Sequence, residues 1–180
     1  MNKSYAIAQD EAEALHNRVV RFRVPDGFAT LLLLDQGALV VGEDDQQING
    51  PALCFWPPGQ RPALCLNAGA RARVLGLSDT LILDAIGARA ESVHLRMLIE
   101  HPFCAPLQQP AIAEQARSLV RWFIAELTEG EAPSPMSLSA QLRLLFIGAL
   151  RLHQPETSDT GMEQTNILRQ FRHLVELHYR

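Results

Sequence analysis

The chain has little of what marks a secreted, membrane-spanning, metal-dependent or nucleic-acid-binding protein. Its 180 residues include three cysteines, Cys54, Cys65 and Cys104. They are odd in number and out of C-x-x-C spacing, which argues against a disulfide framework or a zinc knuckle. No uncharged apolar run reaches about 18 residues. The opening stretch 1–17 carries Asp10, Glu11 and Glu13 where a leader would carry a positive flank and an apolar core. A cytoplasmic location without membrane contact is expected. A formal charge of −4 leaves no electrostatic footprint for nucleic acid or anionic lipid, so any DNA contact must come through another segment. No histidine lies between His16 and His94. Neutral imidazole and carboxylate together are the usual hold on a catalytic divalent ion, so no metal or cofactor is implied. There is no G-x-S-x-G elbow, no phosphate-cradling glycine loop and no H-E-x-x-H. Glu43, Asp44 and Asp45 read as a solvated turn. No catalytic residue is assigned, and the chain is not expected to be an enzyme.

What is present is a sheet followed by helices. With 47% apolar residues the chain can bury a sizeable core. From Arg18 to Ser78 short apolar runs, Val19 to Val24, Phe28 to Leu34, Ala38 to Val41, Ala52 to Trp56, Ala63 to Leu66 and Ala72 to Leu77, are separated by turn formers. Pro25-Asp26-Gly27, Gln36-Gly37, Asn49-Gly50-Pro51, Pro57-Pro58-Gly59 and Asn67-Ala68-Gly69 recur about every ten residues, the spacing of an antiparallel sandwich or barrel. The stretch 1–17 reads as a lid over the sheet or as a frayed end.

Past Asp79 the period changes. Asp79 to Ile86 and Ser92 to Ile99 read as short capped helices. A break at His101 to Pro106 precedes a helix from Pro110 to about Thr128, and a Pro-rich connector, Glu129 to Pro135, leads into the most apolar helix, Ser137 to His153. Its apolar residues exceed one contact face, so it is either a central buried helix or a helix whose second face meets a partner. The last stretch, Asn166 to Arg180, keeps helical apolar spacing to its end and has no stop signal. It is expected to lead into a further domain.

Small antiparallel barrels can enclose a ligand. Arg21, Arg23, Thr30, Trp56 and Arg61 are the residues able to orient one, since guanidinium clamps a carboxylate and an indole supplies a flat apolar wall. Which strand faces point inward stays open, because Val20, Phe22 and Val24 alternate with Val19, Arg21 and Arg23. His94 and His101 read as structural histidines, with a pH or ligand contact as the alternative. Cys54 and Cys65 come close if the strands flanking Pro57 to Pro62 pair as a hairpin, and read as small apolar side chains, with a cytosolic redox switch as the alternative.

The run Gly50-Pro51-Ala-Leu-Cys-Phe-Trp-Pro-Pro-Gly59 resembles the Gly-Asp-hydrophobic-Pro-Pro-Gly corner of cupin-type double-stranded β-helix barrels. With the two short helices around Ser92 to Phe103, the two longer helices and the terminal Leu168 to Arg180, the whole chain resembles the N-terminal half of a bacterial AraC-family transcription regulator. The resemblance implies an α+β fold, an N-terminal cupin-like antiparallel β-barrel followed by a C-terminal helical segment. Residues 1–100 would be a sensor barrel with its N-terminal arm and short helices, 101–160 a helical dimerisation segment, and 161–180 the start of a linker helix to a DNA-binding half. It further implies a small-molecule effector, here a carboxylate or aromatic compound. A homodimer is expected to centre on Leu138, Leu142, Leu145, Phe146 and Leu150, with Leu119, Trp122 and Phe123 assisting. DNA would be contacted only through the further domain. The alternatives are a metal-free cupin-fold enzyme and an effector-free assembly module.

Overall fold

Leu31, Leu32, Leu33 and Leu34 follow one another in a single strand. Successive strand side chains point to opposite faces, so this strand demands an apolar partner on each side. In the computed structural model, which describes residues 6–11, 18–20, 24–42, 46–60, 63–89, 92–128 and 132–153, both partners are present. The elements in chain order are β1 (Ala6–Glu11), β2 (Arg18–Val20), β3 (Ala29–Gln36), β4 (Ala38–Val41), β5 (Gln46–Asn49), β6 (Ala52–Trp56), β7 (Leu64–Leu66), β8 (Arg71–Leu77), α1 (Asp79–Ile86), α2 (Val93–Ile99), β9 (Phe103–Pro106), α3 (Pro110–Thr128) and α4 (Pro135–His153). A five-stranded sheet runs β1-β8-β3-β6-β9 and a four-stranded sheet β2-β7-β4-β5, with every pairing antiparallel. The expected α+β, cupin-like arrangement holds, but the barrel is not closed. Among the described residues no strand of one sheet is hydrogen-bonded to a strand of the other.

The two faces of the larger sheet bury two separate clusters. Leu31, Leu33, Leu53, Phe55, Leu75 and Leu77 pack outward against α1, α3 and α4. Leu32, Leu34, Cys54, Trp56 and Val74 pack inward against Leu39, Leu64 and Leu66 of the smaller sheet. Gly37 carries the chain from β3 to β4, that is, from one sheet to the other. Its φ is +81°, and a Cβ there would sit 2.6 Å from the Cα of Ala70, so both the left-handed backbone and the close approach require glycine.

The helices are fixed by their ends. Ser78 Oγ accepts the Leu81 N–H at 3.3 Å, and Asp79 lies in the first turn of α1, where negative charge suits the helix dipole. At the other end, Arg143 of α4 donates to the carbonyls of Ala85 and Ile86. Ser92 Oγ donates to Ile86 O at 2.6 Å, and Arg96 donates to Gly87 O at 2.9 Å. These are the carbonyls a helix leaves unpaired, and cations are favoured beside them. Pro110 and Pro135 open α3 and α4, where a missing N–H costs nothing. Ser134 Oγ accepts the Ser137 N–H at 3.3 Å, which is why α4 begins two residues ahead of the predicted Ser137.

Three further differences from the sequence reading have backbone causes. Part of the polar opening stretch, read as lid or frayed end, is β1, zipped along β8 from Ala6 opposite Leu77 to Glu11 opposite Ala72. The expected break at His101 to Pro106 contains β9, an edge strand on β6, where proline is tolerated because one side of the ladder needs no donor. The expected strand Val19 to Val24 is described as β2 only to Val20, with Val24 outside any strand. Residues 43–45, 154–165 and the terminal helix expected over 166–180 lie outside the described residues.

The expected dimer contacts are corrected by burial. Leu138, Leu142, Leu145 and Phe146 are each no more than 2% exposed within the single chain, and Leu150 is partly buried against the same cluster. Phe146 meets Phe55 edge-on with ring centroids 5.5 Å apart, and Phe55 stacks on Phe103 at 5.5 Å. The reason is position: α4 lies among α1, α3 and β9, and its excess apolar surface is absorbed inside the chain. Leu119 and Phe123 are buried with it, whereas Trp122, Met136 and Leu144 are exposed. Phe146→Ala should therefore lower unfolding stability by about 3–5 kcal/mol in a urea titration, while Leu144→Ala should stay within about 0.5 kcal/mol. Comparable small losses at both positions would contradict a core role for α4.

Candidate functional site

The inward face of the larger sheet is a set of cross-strand rows. Trp56 of β6 lies opposite Thr30 of β3, which lies opposite Gly76 of β8. The next row is Cys104, Cys54, Leu32 and Val74, and the row beyond it includes Ala52, Leu34 and Ala72. The lining is therefore a large indole and a hydroxyl at one end, two thiols in the middle and small aliphatic groups at the other. A Cβ at Gly76 would come 3.1 Å from Val24 Cγ1 and 3.7 Å from Phe28 Cδ1, so the missing side chain makes room for those two residues to close that end. Thr30 and Trp56 are 8% and 5% exposed. The register settles which faces point inward: the even-numbered residues of β3 and β6 do.

Of the five candidate ligand contacts, Thr30 and Trp56 are brought side by side on this face. Arg21, Arg23 and Arg61 lie outside the described residues. His94 and His101 are both exposed, away from this face. The hairpin that would bring Cys54 beside Cys65 does not form. Cys54 lies opposite Cys104, and Cys65 belongs to the other sheet, opposite Val19 and Val40. The Pro57–Gly59 corner joins two sheets and does not fold a local hairpin, which moves the partner to a strand fifty residues downstream. Among the described residues, no group of three or more His, Cys, Asp or Glu could hold a metal ion, and no helix is long and apolar enough to cross a membrane.

Two features escaped the sequence reading. One is an apolar groove outside the barrel, enclosing about 270 Å³ including the part open to solvent, lined by Leu53, Leu107, Ile112, Leu119, Leu144 and Gly148 among others. The other is Asp35, whose side chain is only 8% exposed at the end of the leucine run, with Arg73 Nη1 at 3.0 Å and Arg117 Nε at 3.3 Å. Both contacts are ionic, and neither oxygen has a well-aligned hydrogen bond. The signal for it was available: an acid directly following four leucines on a doubly covered strand needs cations close by.

No protein-family model and no curated protein sequence matches the chain. Solved structures do match its fold. ToxT from Vibrio cholerae O395 bound to (E)-4-(8-methylnaphthalen-1-yl)but-3-enoic acid aligns at TM-score 0.53 and 12% identity, over 87% of this chain and 61% of that one. Unsaturated fatty acid bound wild-type ToxT from Vibrio cholerae strain SCE256 aligns at TM-score 0.51 and 10% identity, over 88% and 60%. The chain thus spans about three-fifths of the length of the structures it matches. ToxT is an AraC-family regulator, and the chain aligns with its N-terminal part, a cupin-like fold. At these identities the likeness establishes the fold shared by the two chains.

The Asp35 cluster gives the chain a pH response. Burial pushes the Asp35 carboxyl above its ordinary value of 3.8, against the lowering exerted by Arg73, Arg117 and Arg71. A carboxyl that holds its proton more tightly when folded contributes stability that is fully present below the unfolded pKa and is lost as pH rises through the folded one. Comparing wild type with Asp35→Asn by urea unfolding across a pH series from acid to neutral, the wild type should lose stability relative to the variant as pH rises above 3.8. Parallel curves, or a wild type that gains on the variant over that window, would contradict the assignment.

Proposed function

We propose that this chain is the effector-sensing part of a cytoplasmic AraC-family transcription regulator, and that its effector is an apolar carboxylic acid taken up between the two sheets beside Trp56 and Thr30. The observation that carries the reading is the inward face itself: a wall of leucine, alanine, valine and indole with one hydroxyl beside the indole. Such a surface suits a hydrocarbon or aromatic body, and among the described residues it offers one hydroxyl where a sugar would need many polar partners. The likeness to ToxT supports it, since that fold has been solved with an unsaturated fatty acid and with an aryl butenoic acid. Arg21, Arg23 and Arg61 are assigned to the carboxylate end, because guanidinium pairs with carboxylate bidentately. Entry is assigned to the boundary between the sheets, where among the described residues no strand of one is hydrogen-bonded to a strand of the other.

Occupancy would act by population shift, stabilising one arrangement of sheets and helices over another, and only to the extent that the effector binds the two arrangements unequally. The homodimer, the division into sensor barrel, helical segment and linker helix, and the relay to a helix-turn-helix domain belong to the same proposal. For the dimer, the surface of α3 and α4 left uncovered by the core, with Trp122, Met136 and Leu144, replaces the buried residues first expected. Regulators of this fold are not enzymes, and no catalytic role is proposed. The competing reading is an effector-free assembly module, favoured by how completely Leu32, Leu34, Leu39, Leu64 and Leu66 fill the interior.

One titration separates the two. The chain has two tryptophans, so Trp122→Phe leaves Trp56 as the only indole reporter. Adding an unsaturated fatty acid should change Trp56 emission saturably and raise Tm, by the equivalent of about 2.7 kcal/mol at a hundredfold excess over Kd, and its methyl ester should bind more weakly. No change in emission or Tm up to the solubility limit would favour the assembly module.

A further inference from the structure

The register of β6 against β9 sets two thiols face to face in the wall of the interior, and the proposed effector binding makes no use of them. Leu107 N–H donates to Pro51 O at 2.8 Å, and the ladder continues as Ala52 with Pro106, Leu53 with Ala105, Cys54 with Cys104 and Phe55 with Phe103. Antiparallel partners alternate between hydrogen-bonded and non-hydrogen-bonded pairs. Pro51 with Leu107 is a hydrogen-bonded pair, so Leu53 with Ala105 is another, and the pairs between and beyond them are not. Pro106, which has no N–H to give, falls on a non-hydrogen-bonded position, in agreement with this phase. Cys54 with Cys104 is therefore also a non-hydrogen-bonded pair. There Cα atoms approach to about 4.5 Å and side chains come closer than at any other cross-strand position, which lies within the roughly 4.4–6.8 Å that a disulfide spans. Both cysteines are free. Both face the inner cluster, Cys54 fully buried and Cys104 at its margin and partly exposed. Cys65, on the other sheet, is opposite Val19 and Val40 and is not placed to compete.

We propose that Cys54 and Cys104 are a dithiol site for reversible oxidation by peroxide, closing to an intrachain disulfide that fastens edge strand β9 to β6. The partly exposed Cys104 takes the first step. Its thiolate attacks one peroxide oxygen, the O–O bond breaks, hydroxide leaves and Cys104 becomes a sulfenic acid. Cys54 sulfur then attacks the sulfenyl sulfur, the S–S bond forms and the S–O bond breaks, the oxygen leaving as water with the proton of Cys54. Two thiols are oxidised and one peroxide is reduced to two waters. The hydrogen bond to Cys104 and burial push the Cys54 thiol far above its ordinary range, which keeps it protonated and makes it the resolving partner rather than the initial nucleophile. The bond would sit two residues from Trp56 on the same inward face, on the strand that leads into α3.

The test uses the whole chain, reduced and then exposed to hydrogen peroxide in its native state. After exposure it is unfolded in urea, its remaining thiols are alkylated, and it is mapped by mass spectrometry. The expected result is a monomer lacking two hydrogens, with one link between the peptides holding Cys54 and Cys104, Cys65 alkylated, and full reversal by dithiothreitol. Cys65→Ser should behave as wild type. Cys104→Ser, if its circular dichroism is native, should leave Cys54 reduced. A link through Cys65 or between chains, Cys104 oxidised to sulfinic acid with Cys54 still alkylatable, or all three thiols surviving native exposure would each overturn the proposal. The wild-type map decides even if the Cys104 variant does not fold, and no effector is needed, so the outcome is independent of the sensor reading.

Discussion

The requirement that both faces of the β8-β3-β6 sheet be covered determines the rest of this structure. A strand reading Ala-Thr-Leu-Leu-Leu-Leu cannot leave either face in water without exposing two leucines, each worth about 1.5–3 kcal/mol on burial. The chain meets the demand with different materials on the two sides. α1, α3 and α4 cover the odd-numbered residues, and the smaller sheet covers the even-numbered ones. Helices and second sheet thus share a single wall one strand thick, and neither layer can be rearranged without disturbing it.

Polar contacts decide how the helices sit on that wall. Arg143 reaches from α4 to the last carbonyls of α1, and Arg117 reaches from α3 to Asp35 at the end of β3. Each contact pairs a group that the fold would otherwise leave unsatisfied, a helix C-terminus in one case and a buried carboxylate in the other. Because the Arg143 hydrogen bonds depend on direction while apolar packing does not, they select one placement of α4 against α1 among those that bury similar area. Gly87 belongs to this arrangement: a Cβ there would lie 2.7 Å from the Arg143 guanidinium, at the position where α1 must also turn with φ +73°.

Much of this was legible in the sequence, and the failures share a cause. Turn formers and apolar runs located β3, β4, β6, β7 and β8, and capping residues located the helices, because these signals are local. β1, β5 and β9 escape the apolar pattern because an edge strand is held by backbone hydrogen bonds to one neighbour, and so can carry Gln9 and Asp10, Gln46 and Gln47, or Pro106 without a hydrophobic periodicity. The inward face could not be chosen in advance because Leu31–Leu34 satisfies both parities. α4 was apolar beyond one face, and the choice between a partner and a central position rested on whether α1 and α3 close over it, a non-local fact. The neighbour of Cys54 escapes the sequence for the same reason. A hairpin across Pro57–Gly59 is the local guess, whereas the true neighbour of Cys54 arrives only after two helices. Arg143 carries no periodic signal at all, and it becomes meaningful only once the carbonyls of Ala85 and Ile86 are placed beside it.

The shared wall also bears on how an effector between the sheets could be felt by the helices. Trp56 and Phe55 are neighbours on β6 that point to opposite faces, one into the interior and the other into the contact with Phe103 and Phe146. A close-packed interior transmits displacement because it has no slack to absorb it. A ligand body that moves Trp56 must either rotate the indole alone or shift β6, and in the second case Phe55 presses on α4 directly. Thr30 and Leu31 on β3 repeat the arrangement one strand away, with Leu31 in the outer cluster. The path from interior to helix is therefore the thickness of one strand, and the alternation of side chains that buries both faces is also what places the inner and outer contacts on adjacent residues.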